Sequence, residues 1–161
     1  MIIREARPAE IRQILTEGHR CWHKERSFEQ YSIDNRKEEE YGTRYVVEVN
    51  GQVASSLILL RFGQIRTCPV YGIGSVLTVP GFEKKGYASE LIKAVLQQLD
   101  LKKALIFLYS EINPLFYEKL GFHILPDRLQ KKATCSCMVI CQEEALEFLI
   151  KAELKDIPDY F

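Results

Sequence analysis

Residues 76–99, VLTVPGFEKKGYASELIKAVLQQL, constrain the fold of this chain more than any other stretch. An apolar run of strand type over residues 75–79 breaks at Pro80-Gly81, and a short basic loop follows. The chain then enters a helical pattern, because apolar residues recur at spacings of three and four. The stretch therefore predicts a strand, a tight loop and a helix. The helical positions are Ala88, Leu91, Ile92, Val95, Leu96 and Leu99.

The predicted loop carries Lys84, Lys85 and Gly86. A helix start offers unpaired backbone N–H groups and the positive end of the helix dipole, and both favour a phosphate. Gly86 would let the backbone approach a ligand closely. The spacing excludes a P-loop, and only Gly86 and Ala88 match positions of a Rossmann fingerprint. On these residues alone, a phosphate site and a solvated turn with surface lysines both stay open.

Length and charge narrow the class of protein. A chain of 161 residues can bury a sizeable core, so we predict one domain over residues 1–161. Its 22 basic and 22 acidic residues cancel, which argues against a broad nucleic-acid surface. No apolar run reaches membrane length, and charges occupy the position of a signal-peptide core. We expect a cytoplasmic protein that binds neither nucleic acid nor membrane.

Five cysteines agree with a reducing compartment. Cys135, Cys137 and Cys141 lie in a strand-like run, where a period of two places them on one face. A metal site would require a CxxC pair with partners elsewhere, and the sequence has neither. We therefore expect no metal, and we expect these three cysteines to be small buried hydrophobic residues.

Strand patterns dominate the rest of the chain. Asn50-Gly51 is the strongest hairpin signal, because a type I′ turn needs two residues that tolerate positive φ. Gly72 and Gly74 inside a predicted strand indicate a bulge or a close backbone approach. Strands are predicted over residues 1–6, 45–49, 53–60, 70–79, 104–109, 122–125 and 135–141, with a turn at Gly63-Gln64.

Helices are predicted from Pro8 to about residue 19, from Asn113-Pro114 to Gly121, and over residues 142–154. The charge run 36–40 indicates a solvated helix face, and the tail 156–161 carries no readable signal. The strand over residues 104–109 follows a crossover helix, so it should run parallel to the strand over 70–79. An α/β fold with a mixed sheet and helices on both faces follows.

Two stretches, TVPGFEKKGYASELI and LYSEINPLFYEKLGF, resemble motifs A and B of the GCN5-related N-acetyltransferase (GNAT) superfamily. Pro80, Phe82, Gly86 and Ala88 fit the first motif, and residues 116–122 match the Phe-Tyr-Glu-Lys-Leu-Gly-Phe end of the second. The resemblance covers most of residues 1–141. It implies the GNAT fold, with a mixed, mostly antiparallel central sheet and a splayed parallel strand pair.

The resemblance also implies acetyl-CoA as co-substrate. Residues that match Val76, Leu77 and Thr78 bind the acetyl and pantetheine part through backbone groups in the family. Ser110 falls where many members have an asparagine that contacts the cofactor, and Glu83 stands where glutamine or arginine is usual, so it should point away or pair with a lysine. The pyrophosphate would be wrapped by backbone N–H groups of Lys84, Lys85, Gly86, Tyr87, Ala88 and Ser89.

Acetyl transfer to an amine needs a proton donor for the departing thiolate, whose acid has a pKa of about 8.5. Tyr117 matches the acid position of the family; packing alone is the alternative role. The base is not identifiable, and Glu111, His23, Glu48 or a water chain are candidates. We expect direct attack in a ternary complex, without a covalent enzyme intermediate.

Two functions stay open at this point. The first is an acetyltransferase acting on the primary amine of a small molecule, an amino acid or a peptide. The second is a non-catalytic acyl-CoA-binding or sensing module on the same fold. The acceptor site should be shaped by residues 21–44, with their scattered aromatic residues, and by the last hairpin. The oligomeric state is open, a homodimer included.

Overall fold

The computed structural model describes all residues Met1–Phe161, which form seven strands and five α-helices. Short 3-10 turns lie between several of them. The strands are β1 Ile2–Glu5, β2 Gly42–Val49, β3 Gln52–Ile65, β4 Cys68–Thr78, β5 Leu105–Ser110, β6 His123–Ile124 and β7 Ser136–Ile140. The helices are α1 Ile11–Trp22, α2 Phe28–Lys37, α3 Tyr87–Leu96, α4 Leu115–Glu118 and α5 Glu143–Ile150.

The strand order of the sheet is β1-β2-β3-β4-β5-β7-β6. Strand β5 runs parallel to β4, with Val70 opposite Leu105 and Gly72 opposite Phe107. The pairs β1–β2, β2–β3, β5–β7 and β6–β7 are antiparallel. This confirms a mixed, mostly antiparallel sheet with one parallel pair. The parallel register joins only three residue pairs, although β5 has six residues.

The chain forms two compact units. The first comprises Met1–Leu60 and Ser75–Val95, and the second comprises Arg61–Gly74 and Leu96–Phe161. Strands β3 and β4 contribute residues to both. The single domain over residues 1–161 stays a prediction.

In the first unit, the β2–β3 hairpin turns at Asn50 and Gly51, whose φ angles are 51° and 76°. Both are positive, as the type I′ turn requires, so the hairpin prediction is confirmed. Helix α1 begins after a 3-10 turn at Pro8–Glu10 and continues to Trp22, beyond the predicted end. A core of Ile14, Val46, Val53 and Leu77 holds these elements together.

The charge run 36–40 is only partly a solvated face. Arg36, Lys37 and Glu40 are exposed, but the Oε2 atom of Glu38 is buried without a hydrogen-bond partner. Burial raises the pKa of Glu38. The expectation of a solvated face is therefore wrong for Glu38, because the turn into β2 folds its carboxyl inward.

The second unit packs around Phe107, Leu105, Val139 and Cys137, which are almost fully buried. Burial of Cys137 confirms its expected role as a small hydrophobic residue, whereas Cys135 and Cys141 are half-buried. All five cysteines are free. The structure has no group of three His, Cys, Asp or Glu residues placed to hold a metal ion.

Gly63-Gln64 does not form the predicted turn, because β3 continues through both residues to Ile65. Gly63 accommodates a φ of 84° inside the strand, as a β-bulge permits, and Arg66 takes up the positive φ beyond its end. In β4, a Cβ atom at Gly72 would lie 2.6 Å from ring atoms of Phe62 and Phe161. The predicted close approach at Gly72 is therefore confirmed.

The tail 156–161 carries more structure than its sequence indicated. Ile157 is buried, and the Tyr109 hydroxyl donates a 2.6 Å hydrogen bond to the Pro158 carbonyl. The Phe161 ring contacts Phe62 and Tyr109. The tail thereby packs along β4 and β5 within the second unit. Helix α5, in contrast, ends at Ile150, earlier than predicted.

No helix of the protein combines the length and apolarity needed to cross a lipid bilayer. The cytoplasmic location stays a prediction.

Candidate functional site

The end of β4 is the first component of the candidate site. Ser75, one residue beyond Gly74, has a φ of 49° inside the strand, a left-handed conformation that interrupts the regular extended backbone. The buried Ser55 hydroxyl then donates a 2.6 Å hydrogen bond to the Leu77 carbonyl. The Thr78 hydroxyl in turn donates to the Ser55 hydroxyl oxygen, at 3.4 Å. These contacts fix the backbone of Val76, Leu77 and Thr78, the residues predicted to bind the acyl part.

The loop after β4 reverses through three residues with positive φ, Gly81 at 92°, Lys84 at 60° and Gly86 at 82°. Its own side chains hold it together. The Glu83 carboxylate accepts a 2.6 Å hydrogen bond from the Gly81 amide, and the Lys85 ammonium donates to the Gly81 carbonyl at 2.9 Å. Glu83 therefore turns back into the loop without a lysine partner.

The start of α3 is open to a ligand. The first hydrogen bond of the helix joins the Glu90 amide to the Gly86 carbonyl at 3.0 Å. The amides of residues 84–89 donate to no acceptor within the protein. A Cβ atom at Gly86 would meet nothing within 4 Å. Lys84, Lys85, Gly86, Tyr87, Ala88 and Ser89 thus present free donors, as a phosphate site at a helix start requires.

The second unit holds the other predicted residues, on the segment from β5 to α4. Ser110 is buried, and its hydroxyl donates to the Ile112 carbonyl at 2.8 Å. The Asn113 side chain accepts from the Leu115 amide at 3.0 Å, so it caps α4 as predicted. The chain leaves α4 at Gly121, which has a φ of 94°. The Phe122 amide then donates to the Tyr117 carbonyl.

Tyr117 lies on α4 and is 7% exposed. Its ring centroid is 4.9 Å from that of Phe116 and 6.1 Å from that of Phe122, with edge-to-face geometry in both pairs. Burial alone raises the pKa of Tyr117 to about 12, since no charge or hydrogen bond contributes. The phenol is therefore protonated throughout the neutral range.

Each side-chain base candidate is already engaged. Glu48 forms an ion pair with Arg4, which also binds Glu10. The His23 Nδ1 atom accepts from the Glu25 amide at 3.1 Å. Each contact restrains its side chain, and neither group stands out by its geometry as the base.

Glu111 has a partner that the sequence did not reveal. Its carboxylate accepts a 2.5 Å hydrogen bond from the Tyr160 hydroxyl. Sequence reasoning missed Tyr160 and Ser55, whose contacts span 49 and 22 residues of the chain. A period-two pattern places Ser55 on a strand but gives no signal for its partner.

Comparisons with known proteins identify the family. The model of the acetyltransferase (GNAT) domain matches residues 2–125, so the chain belongs to the GNAT acetyltransferase family. The predicted resemblance is thereby confirmed. No curated protein matches the chain.

Solved structures agree on the fold. A GNAT family acetyltransferase from Brucella melitensis in complex with acetyl-CoA is 25% identical, with a TM-score of 0.58, over 84% of this chain and 85% of that chain. An aminoglycoside 6'-N-acetyltransferase complexed with coenzyme A is 12% identical, with a TM-score of 0.66, over 86% of this chain and 94% of that one.

A further match is a conserved protein of unknown function from Enterococcus faecalis V583, designated a probable N-acyltransferase. It is 20% identical with a TM-score of 0.64, over 76% of this chain. The present chain covers only 32% of that protein's length. The match therefore relates this fold to one part of a larger protein.

Proposed function

We propose that this chain transfers an acetyl group from acetyl-CoA to the primary amine of a small molecule, an amino acid or a peptide. The open row of amides at the start of α3 is the observation that carries the proposal. These donors, with Lys84 and Lys85 beside them, suit the pyrophosphate of acetyl-CoA. Two of the structurally similar proteins were solved with coenzyme A or acetyl-CoA, which supports the same co-substrate.

We assign the backbone of Val76, Leu77 and Thr78 to binding the acetyl and pantetheine part of acetyl-CoA. Ser110 is assigned a further contact with the same cofactor. The anchoring of the Leu77 carbonyl by Ser55 supports the first assignment, since a fixed backbone can present donors to the carbonyl oxygen of the thioester. Such donors stabilise the oxyanion of the tetrahedral intermediate.

The reaction forms one bond and breaks another. The neutral amine attacks the thioester carbon, the new C–N bond replaces the C–S bond, and the nitrogen loses one proton while the sulfur gains one. Tyr117 is assigned as the donor to the departing sulfur. Because its pKa is about 12, its proton is in place throughout the neutral range. The engaged side-chain bases favour water as the route for the amine proton.

A coupled assay tests this function. Release of free CoA thiol is measured with acetyl-CoA and a panel of primary amines, alongside the Tyr117→Phe and Tyr45→Phe variants. Tyr45 is the matched control, since it is also 7% exposed and lies on β2, outside the residues assigned to the site. We expect Tyr117→Phe to lower kcat by about 10²- to 10⁴-fold without changing the affinity for acetyl-CoA.

The alternative function has a distinct outcome in the same assay. If acetyl-CoA raises the melting temperature but no amine releases thiol, the chain is a non-catalytic acyl-CoA-binding module. Unchanged turnover in Tyr117→Phe would remove Tyr117 from the mechanism while leaving acetyl transfer in place. Absence of both binding and turnover would contradict the proposal as a whole.

A further inference from the structure

A second candidate binding site lies in the second unit, apart from Tyr117 and from the residues assigned to acetyl-CoA. Its Lys131 and Lys132 belong to the last hairpin, between β6 and β7, which was expected to help shape the acceptor site. It is an open cavity of about 650 Å³. All of its lining residues follow residue 125, so they lie outside the part of the chain that the GNAT domain model matches. The lining consists of Lys131, Lys132, Leu154, Lys155, Asp159 and Tyr160.

The tail holds one wall of this cavity in place. The Tyr160 hydroxyl donates to Glu111 at 2.5 Å, and the Tyr160 ring contacts the Tyr109 ring edge-to-face at 5.4 Å. Ile157, three residues earlier, is 2% exposed. The wall is therefore a fixed part of the unit, because hydrogen bonding, ring packing and burial all restrain it.

The charges in the lining are unbalanced, with three ammonium groups and one carboxylate. The Lys132 ammonium lies 3.7 Å from the centre of the Tyr160 ring, a cation–π contact that leaves its charge unneutralised. Lys131 pairs with Asp159 at 2.7 Å. The Lys131 side chain is 17% exposed, whereas that of Asp159 is 94% exposed.

The ion pair with Asp159 is of a kind that a ligand can replace. An exposed carboxylate contributes little to stability when it pairs with a lysine, because water screens the attraction. Lys155 pairs in the same way with Glu153 at 2.7 Å, and both side chains are largely exposed. An incoming anion can therefore take the position of Asp159 beside a half-buried ammonium group.

We propose that this cavity binds a small organic anion, whose carboxylate or phosphate lies between Lys131 and Lys132. Charge-assisted hydrogen bonds from ammonium groups to such oxygens are among the strong ones in proteins. Leu154, which is 41% exposed, offers an apolar surface to the rest of the ligand. Asp159 occupies the anion position when the ligand is absent. The proposal does not depend on acetyl transfer.

Calorimetric titration of the whole chain with benzoate, phenyl phosphate and benzyl alcohol tests the site. We expect benzoate or phenyl phosphate to bind, and benzyl alcohol, which lacks the charge, not to bind. The anion that binds more tightly identifies the ligand as a carboxylate or a phosphate. Binding of benzyl alcohol with equal affinity, or no binding of either anion up to about 10 mM, would overturn the proposal.

Two substitutions should move the affinity in opposite directions. Lys132→Gln should weaken anion binding about tenfold, and Asp159→Asn should strengthen it by several fold, because it removes the competing carboxylate. A general loss of structure cannot produce both changes. Lys84→Gln/Lys85→Gln is the control for anion binding at the start of α3. If that control loses the binding and Lys132→Gln keeps it, the proposed site is wrong.

Discussion

The Glu83 carboxylate accepts a hydrogen bond from the Gly81 amide over 2.6 Å, two residues earlier in the same loop. The bond draws the carboxylate back toward the end of β4 while the amides of residues 84–89 remain without acceptors. A residue that would repel a pyrophosphate thus contributes to the shape of the loop that is proposed to bind it. A substitution can remove the negative charge of Glu83 and keep its hydrogen bond to the Gly81 amide.

Glu83→Gln should tighten the binding of acetyl-CoA by about two- to fivefold. The amide oxygen of glutamine can still accept from Gly81, but the negative charge near the pyrophosphate is gone. Titration at low and high salt measures the effect, which should shrink at high salt because screening weakens it. Glu5→Gln, which removes an exposed charge on β1 outside the assigned site, is the control. A weaker affinity in Glu83→Gln would show that the charge itself holds the loop.

Gly86→Ala should weaken the binding of acetyl-CoA, whereas Gly51→Ala should not. Both glycines have positive φ, 82° and 76°, and a Cβ atom would meet nothing within 4 Å at either. Each substitution should therefore cost about 1–2 kcal/mol of stability through backbone strain alone. Melting temperatures and acetyl-CoA titrations of both variants check this. Equal loss of affinity in the two variants would contradict a specific role for the Gly86 backbone.

Glu38→Gln should stabilise the protein at pH 8 and have little effect near pH 4. Burial raises the pKa of Glu38, so the folded protein holds this proton to higher pH than the unfolded chain does. The stabilisation from the protonated Glu38 carboxyl is complete below the pKa of this group in the unfolded chain, about 4.3. It is lost as pH rises through the pKa of the same group in the folded protein. Above that pH, the wild type carries a buried charge that the variant lacks.

Thermal unfolding across this pH range measures the effect of Glu38→Gln. We expect a gain on the order of 1 kcal/mol at pH 8, which corresponds to about 2–4 °C for a chain of this size. Glu40→Gln is the control, since Glu40 lies in the same turn and is exposed. A gain that is equal at both pH values would show that the charge of Glu38 is not its cause.

Sequence patterns predicted the features that depend on local chemistry. Asn50-Gly51 predicted the β2–β3 turn, and Asn113 predicted the hydrogen bond at the start of α4. Both features depend on only a few adjacent residues. The parallel pairing of β4 and β5 followed from the crossover helix between them. The turn predicted at Gly63-Gln64 was wrong, because β3 continues through Gly63 although this residue has a positive φ.

The contacts that escaped prediction join residues far apart in the chain. Ser55 reaches the Leu77 carbonyl, and Tyr160 reaches Glu111, although neither residue has a distinctive neighbourhood in the sequence. The tail residues have no periodicity that would reveal burial of Ile157. Such contacts are set by which strands become neighbours, and local patterns do not contain that information. The candidate site was therefore predictable in its motifs but not in its supporting contacts.

Gly72→Ala should destabilise the protein, and Phe161→Ala should partly restore its stability. A Cβ atom at Gly72 would lie 2.6 Å from the Phe161 and Phe62 rings, well inside van der Waals contact. Overpacking of this kind costs about 1–3 kcal/mol, and removal of the Phe161 ring opens space for the methyl group. Chemical unfolding of the two single variants and the double variant measures the coupling between the positions. Since Phe161 also contacts Tyr109, Phe161→Ala alone should destabilise as well. Additive effects of the two substitutions would mean that the tail does not pack on Gly72 in solution.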